Sequence, residues 1–408
     1  MPPCLFLLYR IGRIATMTYL MNTYRRLPLR FERGEGAWLF DTDGKRYLDG
    51  VAGVAVNGLG HAHPQLVEAI CKQSKKLIHT SNLYEIPEQE RLAQRLAMLS
   101  GMDRAFFCNS GAEANEAAIK LARLYGHRKE ITAPAIVVME KSFHGRTMAT
   151  LSATGSRKVQ AGFEPLLSGF VRVPYNDIAA VEEVMRLDAN IVAVLVEPVQ
   201  GEGGVNVPAV EYLRDLRALC DKYGVLLMLD EIQTGVARTG KWFAHQHAAI
   251  VPDVMTLAKG LGSGIPVGAC LARGAIAETF QPGNHGSTFG GNPFAMSVVT
   301  ATLDIIEAGD LLNKAVERGD FIRAELSRRL SGNPGIVDIR GIGLMIGVEL
   351  DRPCAELVQR ASDRGLLINV TADRVVRLLP PLILSEAEAA ELVDIVSGVI
   401  ADFLADPL

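Results

Sequence analysis

Between about residues 104 and 272, short apolar runs alternate with helical segments, such as Pro208 to Tyr223. The runs are four to six residues long and continuous, as in Ile191–Val196 and in residues 225–229. Strands that are apolar at every position, rather than at alternate ones, are buried on both faces. The alternation therefore predicts an α/β domain with a mainly parallel sheet covered by helices.

The sequence on either side of this region has a different pattern. A hairpin is predicted around the turn at residues 41–44, and helices are predicted over 64–78 and 87–99, each beginning with proline. After Asn292, two long helical patterns precede strands, a helix, a strand and a last helix from Ser385. These segments predict a smaller α/β domain. The predicted division is an unstructured extension at 1–21, with the true start at Met1, Met17 or Met21, a small domain from 22–80 and 292–408, and a large domain at 81–291.

Composition excludes several classes of function. The 408 residues include 42 basic and 46 acidic side chains, and no long run of either sign suits a nucleic acid. No apolar stretch approaches the roughly 20 residues that a membrane span requires. The six cysteines form no Cys-x-x-Cys pair and no ligand cluster. We therefore expect free thiols in a cytoplasmic protein, without nucleic-acid or membrane partners.

A lysine and a carboxylate indicate the chemistry. Asp230 follows the apolar run 225–229. Lys259 stands 29 positions after Asp230 and follows a further strand-like run. A pyridoxal phosphate enzyme needs a lysine to hold the cofactor as a Schiff base and a carboxylate to keep the pyridine nitrogen protonated. The pair predicts such an enzyme, with both residues in catalytic roles.

Other polar candidates also stand where predicted strands end. Glu197 follows one strand, and residues 109–112 (Asn-Ser-Gly-Ala) follow another and open a helix. In a parallel sheet these ends face a common crevice. A small-residue turn into a helix exposes backbone N–H groups and the positive end of the dipole, which suits a phosphate.

Three other motifs are weaker. Residues 235–241 match a nucleotide P-loop, but Trp242 stands where its magnesium-binding Ser or Thr is required. The glycines of 260–264 have the wrong spacing for a dinucleotide and predict a loop close to the cofactor. The histidine pairs at 61–63 and 245–247 lack a third ligand, so no metal site is expected.

Six ordered motifs make the chain similar to the class III (ornithine-type) pyridoxal phosphate aminotransferases, from about residue 22 to the C-terminus. The resemblance is carried by Asn109 to Glu116, Ser142 to Thr147, Glu197 to Gly204, Leu229 to Gly235, Ala258 to Gly260 and His285 to Pro293. It implies the fold type I architecture of these transferases.

The resemblance also implies cofactor contacts. Lys259 would form the internal aldimine and then move a proton between the substrate and C4′ of the cofactor, while Asp230 would pair with the ring nitrogen. The remaining contacts implied are Gln233 to the phenolic oxygen, Phe143 and Ile232 on the two ring faces, Ser110, Gly111 and Ala112 at the phosphate, and Thr288 from the second subunit of a homodimer.

Substrate residues follow from the same resemblance. Arg146 would bind the carboxylate remote from the reacting amine, and Arg377 would bind the adjacent carboxylate of glutamate, masked by Glu202 at other times. Ser287 would also contact substrate. His144 and Phe289 fit the acetylornithine pattern, where ornithine enzymes usually have Trp and Tyr.

The expected reaction is transfer of the distal amino group of N-acetylornithine to 2-oxoglutarate, a step in arginine biosynthesis. Ornithine, 4-aminobutyrate and succinyl-diaminopimelate remain alternative amine donors. A related isomerase or racemase, or a non-catalytic binding homologue, also remains open. The pair Glu202 and Arg377 favours transamination, and an intact set of Lys259, Asp230 and Gln233 favours a working enzyme.

Overall fold

A computed structural model of the protein describes residues 19–406. The proposed starts at Met1 and Met17, and the predicted extension up to residue 18, lie outside the described residues. Residues 19–30 contain no helix or strand. They belong to one compact unit, and a second unit begins at residue 31.

The strands and helices alternate through most of the second unit. The strands are β1 Phe31–Glu35, β2 Trp38–Asp41, β3 Arg46–Asp49, β4 Arg104–Cys108, β5 Ala135–Met139, β6 Phe170–Val173, β7 Ile191–Val196, β8 Leu226–Asp230, β9 Val254–Leu257, β10 Gly268–Ala272, β11 Ile336–Ile342, β12 Met345–Leu350, β13 Leu366–Leu367, β14 Asn369–Thr371 and β15 Val375–Leu378. The α-helices are α1 Ala52–Ala55, α2 Pro64–Ser74, α3 Pro87–Ser100, α4 Gly111–Arg128, α5 Met148–Ala153, α6 Arg157–Gln160, α7 Ile178–Leu187, α8 Tyr212–Tyr223, α9 Pro293–Ala308, α10 Leu311–Arg329, α11 Leu357–Asp363 and α12 Glu386–Ala405. Short 3₁₀ helices span Ala244–Ala248, Lys259–Leu261 and Gly274–Glu278.

The large sheet has seven strands in the order β4-β10-β9-β8-β7-β5-β6. The pairs from β9 to β6 are all parallel, and only β10 runs antiparallel to its neighbours. Every residue of β5, β7 and β8 is buried. The predicted mainly parallel sheet is therefore confirmed, with β6 and β10 as strands that the sequence did not predict.

Two four-stranded sheets contain the N- and C-terminal strands. The predicted hairpin is β2 and β3, and β3 pairs in parallel with β13 through Leu48 and Leu366. The other sheet has the order β11-β12-β15-β14. The N- and C-terminal segments thus fold together, as the fold class predicts, whereas the boundaries at residues 80 and 292 stay predictions.

Two predicted helix ends are wrong. Helix α8 begins at Tyr212 rather than at residue 208, because residues 209–212 form a turn in which the Tyr212 N–H donates to the carbonyl of Ala209, three residues back. Helix α2 ends at Ser74 rather than at residue 78. Beyond this end, the side-chain amide of Gln73 donates to the carbonyl of Leu77. The predicted last helix is confirmed, with Ser385 as its N-cap residue.

Helix α4 packs across the large sheet through a face of small residues. Ala114, Ala117 and Ala118 are fully buried on this face, which brings the helix axis close to the strands.

Among residues 19–406, no helix has the length and apolar character of a membrane span.

Candidate active site

A cavity of about 420 Å³ lies at the carboxyl ends of β4, β7, β8 and β9. Parallel strands place their following loops at this edge, so residues far apart in sequence meet there. The structure brings ten of the predicted site residues to the wall of this cavity: Ser110, Gly111, Ala112, Phe143, Arg146, Glu202, Asp230, Ile232, Gln233 and Lys259.

One residue, Ala258, separates Lys259 from the end of β9. Lys259 begins a 3₁₀ turn and has a positive φ of 44°. Its amine has no hydrogen-bond or ion-pair partner among the described residues. Burial lowers the pKa of Lys259, an effect that the charge of Glu202 opposes and that of Arg377 reinforces. Lys259 is half-buried, and the lowered pKa increases the fraction of its neutral, nucleophilic amine.

Asp230 is the last residue of β8 and is buried. Its Oδ2 atom accepts hydrogen bonds from Nδ2 of Asn115 at 2.8 Å and from Nδ1 of His144 at 2.7 Å. Its Oδ1 atom accepts one from the backbone N–H of Ile232 at 3.1 Å. A carboxylate has about four acceptor positions, so Oδ1 keeps one for a donor in the cavity.

The turn into α4 presents free backbone donors. The Ser110 side chain caps the helix by accepting from the Glu113 N–H at 3.2 Å. The N–H groups of Gly111 and Ala112 carry no hydrogen bond within the described part of the chain. A Cβ atom on Gly111 would lie 2.8 Å from Cδ1 of Ile232, so glycine leaves the space at this helix start open.

Arg377 is a buried cation beside the cavity. Its Nη1 atom lies 2.6 Å from Oε1 of Glu202 and 3.3 Å from Oε1 of Gln233, and its Nε atom donates to Asn369. Burial acts to raise the pKa of Glu202, but the charge and hydrogen bond of Arg377 outweigh it and the net shift is downward. Glu202 therefore stays ionised and neutralises Arg377.

Arg146 is exposed and contrasts with Arg377. It has no hydrogen-bond or ion-pair partner among residues 19–406, and its guanidinium lies 5.5 Å from the centre of the Phe143 ring. An unpaired guanidinium at a cavity wall can bind a carboxylate through two parallel hydrogen bonds.

Glu197 lies at the end of β7 and joins two loops of the cavity wall. Its Oε1 and Oε2 atoms accept from the backbone N–H groups of Phe143 at 2.9 Å and Gly201 at 3.2 Å. Burial, partly offset by the positive influence of His144, raises the pKa of Glu197 to about 7.

Ser287 and Thr288 are not brought to this cavity. They line a second cavity of about 350 Å³, which shares Asn109 with the first. The Oγ atom of Ser287 accepts from Nδ2 of Asn109 at 3.1 Å and from the Gly290 N–H. In a single chain, Ser287 and Thr288 therefore lie behind the wall of the main site.

The residues of the main cavity fit pyridoxal phosphate. The fit rests on four features of the described residues: a half-buried amine without a partner, a carboxylate with one unused acceptor position, unbonded N–H groups at a helix start, and a glycine whose Cβ would collide with Ile232. These are the donors, acceptors and space that an aldehyde, a ring nitrogen and a phosphate require.

Two buried contacts of Asp230 were missed as functional residues in the sequence. His144 and Asn115 both lie within recognised motifs, but no role was predicted for either. A signal exists for Asn115, which is a polar residue beside Ala114 and Ala117 on the buried face of a helix. Such a residue needs a hydrogen-bond partner inside the protein.

Comparisons with known proteins agree over nearly the whole chain. The sequence profile of Aminotransferase class-III matches residues 19–400. An acetylornithine aminotransferase of Nitrosomonas europaea is 61% identical over 388 residues, covering 95% of this chain and 99% of that protein. Among solved structures, an ornithine aminotransferase of Toxoplasma gondii superposes with a TM-score of 0.92 at 35% identity, covering 94% of this chain and 93% of that one. An acetylornithine aminotransferase of Elizabethkingia anophelis gives 0.84 at 38% identity, with 94% and 97% covered.

Proposed function

This chain belongs to the class III aminotransferases, which are pyridoxal phosphate enzymes, and we propose that its amine donor is N-acetylornithine. The distal amino group is transferred to 2-oxoglutarate, giving N-acetylglutamate semialdehyde and glutamate. The relative from Nitrosomonas europaea supports this donor through its name and its 61% identity.

The cofactor is held by groups that the cavity already presents. Lys259 supplies the amine for its aldehyde, Asp230 pairs with its ring nitrogen, and Gln233 donates to its phenolic oxygen. Phe143 and Ile232 pack on the ring, and the phosphate is bound by Ser110, Gly111 and Ala112. When bound, the cofactor supplies an electron sink for the carbanion formed at the amine-bearing carbon of the substrate.

Lys259 moves the proton of the reaction. Its neutral amine would take the proton from the amine-bearing carbon of the substrate and would return it at C4′ when the cofactor is bound. The lowered pKa of Lys259, caused first by burial, supports this role because it increases the fraction of neutral base near neutral pH.

The two arginines bind different carboxylates. Arg146, without a partner, binds the α-carboxylate of N-acetylornithine or the γ-carboxylate of glutamate. Arg377 binds the α-carboxylate of glutamate after Glu202 moves away. The observation that carries this proposal is the 2.6 Å ion pair of Arg377 and Glu202 at a cavity whose half-buried lysine has no partner in the described part of the chain. While Arg377 and Glu202 stay paired, Arg377 is not available to an α-carboxylate. A substrate whose reacting amine is remote from its carboxylate then binds with that amine at the reacting position.

The active enzyme is a homodimer in which Thr288 reaches the phosphate of the other subunit, and Ser287 contacts substrate. Support comes from an apolar surface beside these residues, where 86% of Leu83, 68% of Tyr84 and 61% of Phe289 are exposed. The side chain of Asn82 joins the two parts of this surface by donating to the carbonyls of residues 287 and 290. Exposed apolar patches of this kind mark protein interfaces.

The protein works in the cytoplasm. The sequence argument from its cysteines supports this location, and Cys71, Cys108, Cys220, Cys270 and Cys354 are free thiols in the structure.

A panel of amine donors tests the function. The purified protein is incubated with 2-oxoglutarate and either N-acetylornithine, ornithine, 4-aminobutyrate or succinyl-diaminopimelate, and glutamate formation is measured. We expect the highest kcat/KM with N-acetylornithine and no turnover by the Lys259→Ala variant. A higher value for another donor would reassign the substrate. Conversion of a donor without consumption of 2-oxoglutarate would indicate an isomerase, and no conversion would indicate a binding protein.

A further inference from the structure

The carboxylate of Asp230 is held by two side chains that have no assigned function. Its Oδ2 atom accepts from Nδ2 of Asn115 and Nδ1 of His144, which uses both acceptor positions of that atom. Both hydrogen bonds are charge-assisted and join buried side chains, where such contacts are stronger than in solvent. The carboxylate therefore cannot rotate without breaking two hydrogen bonds.

The orientation of Asn115 follows from its other contacts. The hydroxyl of Thr256 on β9 lies 2.7 Å from Oδ1 of Asn115, and the carbonyl of His144 accepts from Nδ2 of Asn115 at 2.8 Å. A flipped amide would bring its NH₂ group to the hydroxyl and its oxygen to a carbonyl and a carboxylate. The network therefore fixes the NH₂ group on Asp230.

His144 is fully buried and is constrained in the same way. A hydrogen bond to a carboxylate requires the proton on Nδ1 of His144. The Nε2 atom of His144 is buried without any hydrogen-bond partner in the described chain. A buried polar atom without a partner destabilises the fold, so the Nδ1 contact is the one that explains a histidine at this position.

We propose that Asn115 and His144 are positioning residues that fix Asp230, so that the one free acceptor position on Oδ1 faces the ring nitrogen of the cofactor. Asn115 also holds the backbone of His144, between the ring-packing Phe143 and the carboxylate-binding Arg146. The inference rests on the proposed function only in placing the ring nitrogen beside Asp230.

The test compares pyridoxal phosphate with its 1-deaza analogue, in which a C–H replaces the ring nitrogen. Dissociation constants of both compounds are measured by dialysis against the cofactor-free full-length protein, so the readout does not depend on turnover. The wild type is expected to prefer pyridoxal phosphate. The variants Asn115→Ala and His144→Phe should each reduce this preference by roughly tenfold or more, as expected for one hydrogen bond to a charged group.

Conservative variants separate positioning from packing. In His144→Asn the amide nitrogen replaces Nδ1 of the imidazole, and the preference should be largely restored. In His144→Gln the amide lies at the position of Nε2, and the preference should stay low. The matched control is His245→Phe, because His245 is also buried against a carboxylate, that of Glu231 at 3.1 Å, but does not line the cavity. This control should change the thermal stability and not the preference.

The outcomes distinguish the two levels of the argument. If Asp230→Asn retains the wild-type preference, the ring nitrogen is elsewhere and the proposed site is wrong. If Asp230→Asn loses the preference while His144→Phe and Asn115→Ala keep or increase it, the positioning inference is overturned and the proposed site stands. An equal loss in His245→Phe would also overturn it, because the effect would then report general destabilisation.

Discussion

Arg377 and Arg146 are chemically identical but differ in burial and pairing. Arg377 is fully buried and neutralised by Glu202, whereas Arg146 is exposed and unpaired. Removing one partner of a buried ion pair leaves the other charge uncompensated. Substitution of Arg377 and substitution of Arg146 should therefore have different effects on the reaction, although the two side chains are chemically identical.

Stopped-flow measurement of each half-reaction separates the two arginines. Arg377→Ala should slow the glutamate half-reaction and spare the acetylornithine one, whereas Arg146→Ala should slow both. Losing a charge-assisted carboxylate contact costs about 2–5 kcal/mol, or roughly 30- to several-thousand-fold in rate. Glu202→Gln should reduce the preference for the distal amine, because Arg377 is then free to bind an α-carboxylate. Equal slowing of both half-reactions in Arg377→Ala would mean that its ion pair is structural.

The Asp230→Asn variant tests the electronic role of the carboxylate. The asparagine oxygen can still accept from Asn115 and His144, so the fold should be retained. Its NH₂ group then faces the Ile232 N–H and the ring nitrogen, which removes the charge that keeps that nitrogen protonated. We expect single-turnover rates to fall by orders of magnitude in a protein that still folds but melts at a lower temperature, because the NH₂ group and the Ile232 N–H are two donors that face each other. A near-normal rate would place the partner of the ring nitrogen elsewhere.

At the scale of single residues, the sequence identified residues that line the cavity better than it identified the residues behind them. Lys259, Asp230 and Arg146 lie in recognisable motifs and reach one cavity. The contacts of Asn115 and His144 with Asp230 depend on how α4 packs on the sheet. Sequence patterns do not specify that packing, so these contacts could only be found in the structure.

At the scale of secondary-structure elements, the loops after β7 and β8 touch each other through glycine. A Cβ atom on Gly201 would lie 2.0 Å from Oε1 of Gln233, which is far inside van der Waals contact. Gly201→Ala must displace Gln233 or its loop, and overpacking of this kind costs about 1–3 kcal/mol. Gly224→Ala serves as a control for backbone effects, because its Cβ would meet no atom within 4 Å.

The prediction for Gly201→Ala is a specific loss of cofactor contact. Because Gln233 is proposed to donate to the phenolic oxygen, its displacement should shift the absorption maximum of the bound cofactor and weaken cofactor binding. Gly224→Ala should destabilise the fold through its positive φ of 65° without a spectral shift. An unshifted spectrum in Gly201→Ala would exclude Gln233 as the partner of the phenolic oxygen.

Glu197 joins two of these loops and makes their stability depend on pH. Its pKa is about 7 in the folded protein, against an ordinary value of 4.5, and burial is the main cause. Between these values the folded state binds more protons than the unfolded state, so the free energy of unfolding falls as pH rises. The Glu197 contribution should decrease by up to about 3 kcal/mol across this window.

Urea unfolding of the cofactor-free protein measures this contribution. The decrease in free energy of unfolding from pH 5 to pH 8 should be smaller in Glu197→Gln than in the wild type. The variant also loses one acceptor for the N–H groups of Phe143 and Gly201, which lowers stability at every pH. Only the difference between the two pH values therefore counts, and an identical pH dependence in both proteins would refute the assignment.

The order of the elements was predictable where strands are continuous and apolar, and less so elsewhere. Strand β10 contains glycine, two alanines and a cysteine, which have weak strand preference, and it becomes a strand through pairing with β4 and β9. Such pairing depends on distant segments. Local sequence therefore predicts β7 and β8 but not β10.

At the scale of the whole molecule, the single chain leaves three predicted residues outside the wall of the main cavity: Arg377, Ser287 and Thr288. Ser287 and Thr288 lie in the second cavity, next to the exposed surface formed by Leu83, Tyr84 and Phe289. A twofold axis at this surface would use the same patch on both subunits. The motif around Thr288 predicts a residue of the site, and in the proposed homodimer a second copy of the chain would bring it there.

Hybrid dimers test whether Thr288 acts across the interface. Subunits carrying Lys259→Ala and subunits carrying Thr288→Asp are co-expressed with different affinity tags, and the hybrid is purified through both tags. If Thr288 acts across the interface, one site of the hybrid combines Lys259 of one subunit with Thr288 of the other. In a twofold dimer with one intact site of two, activity should be about half of the wild type.

The control hybrid of wild type and Lys259→Ala should show the same value. Both parent homodimers should be nearly inactive, one because it lacks Lys259 and the other because the added aspartate repels the phosphate. If Thr288 acts within its own chain, every site of the mutant hybrid carries a defect, and activity should stay at the level of the parents.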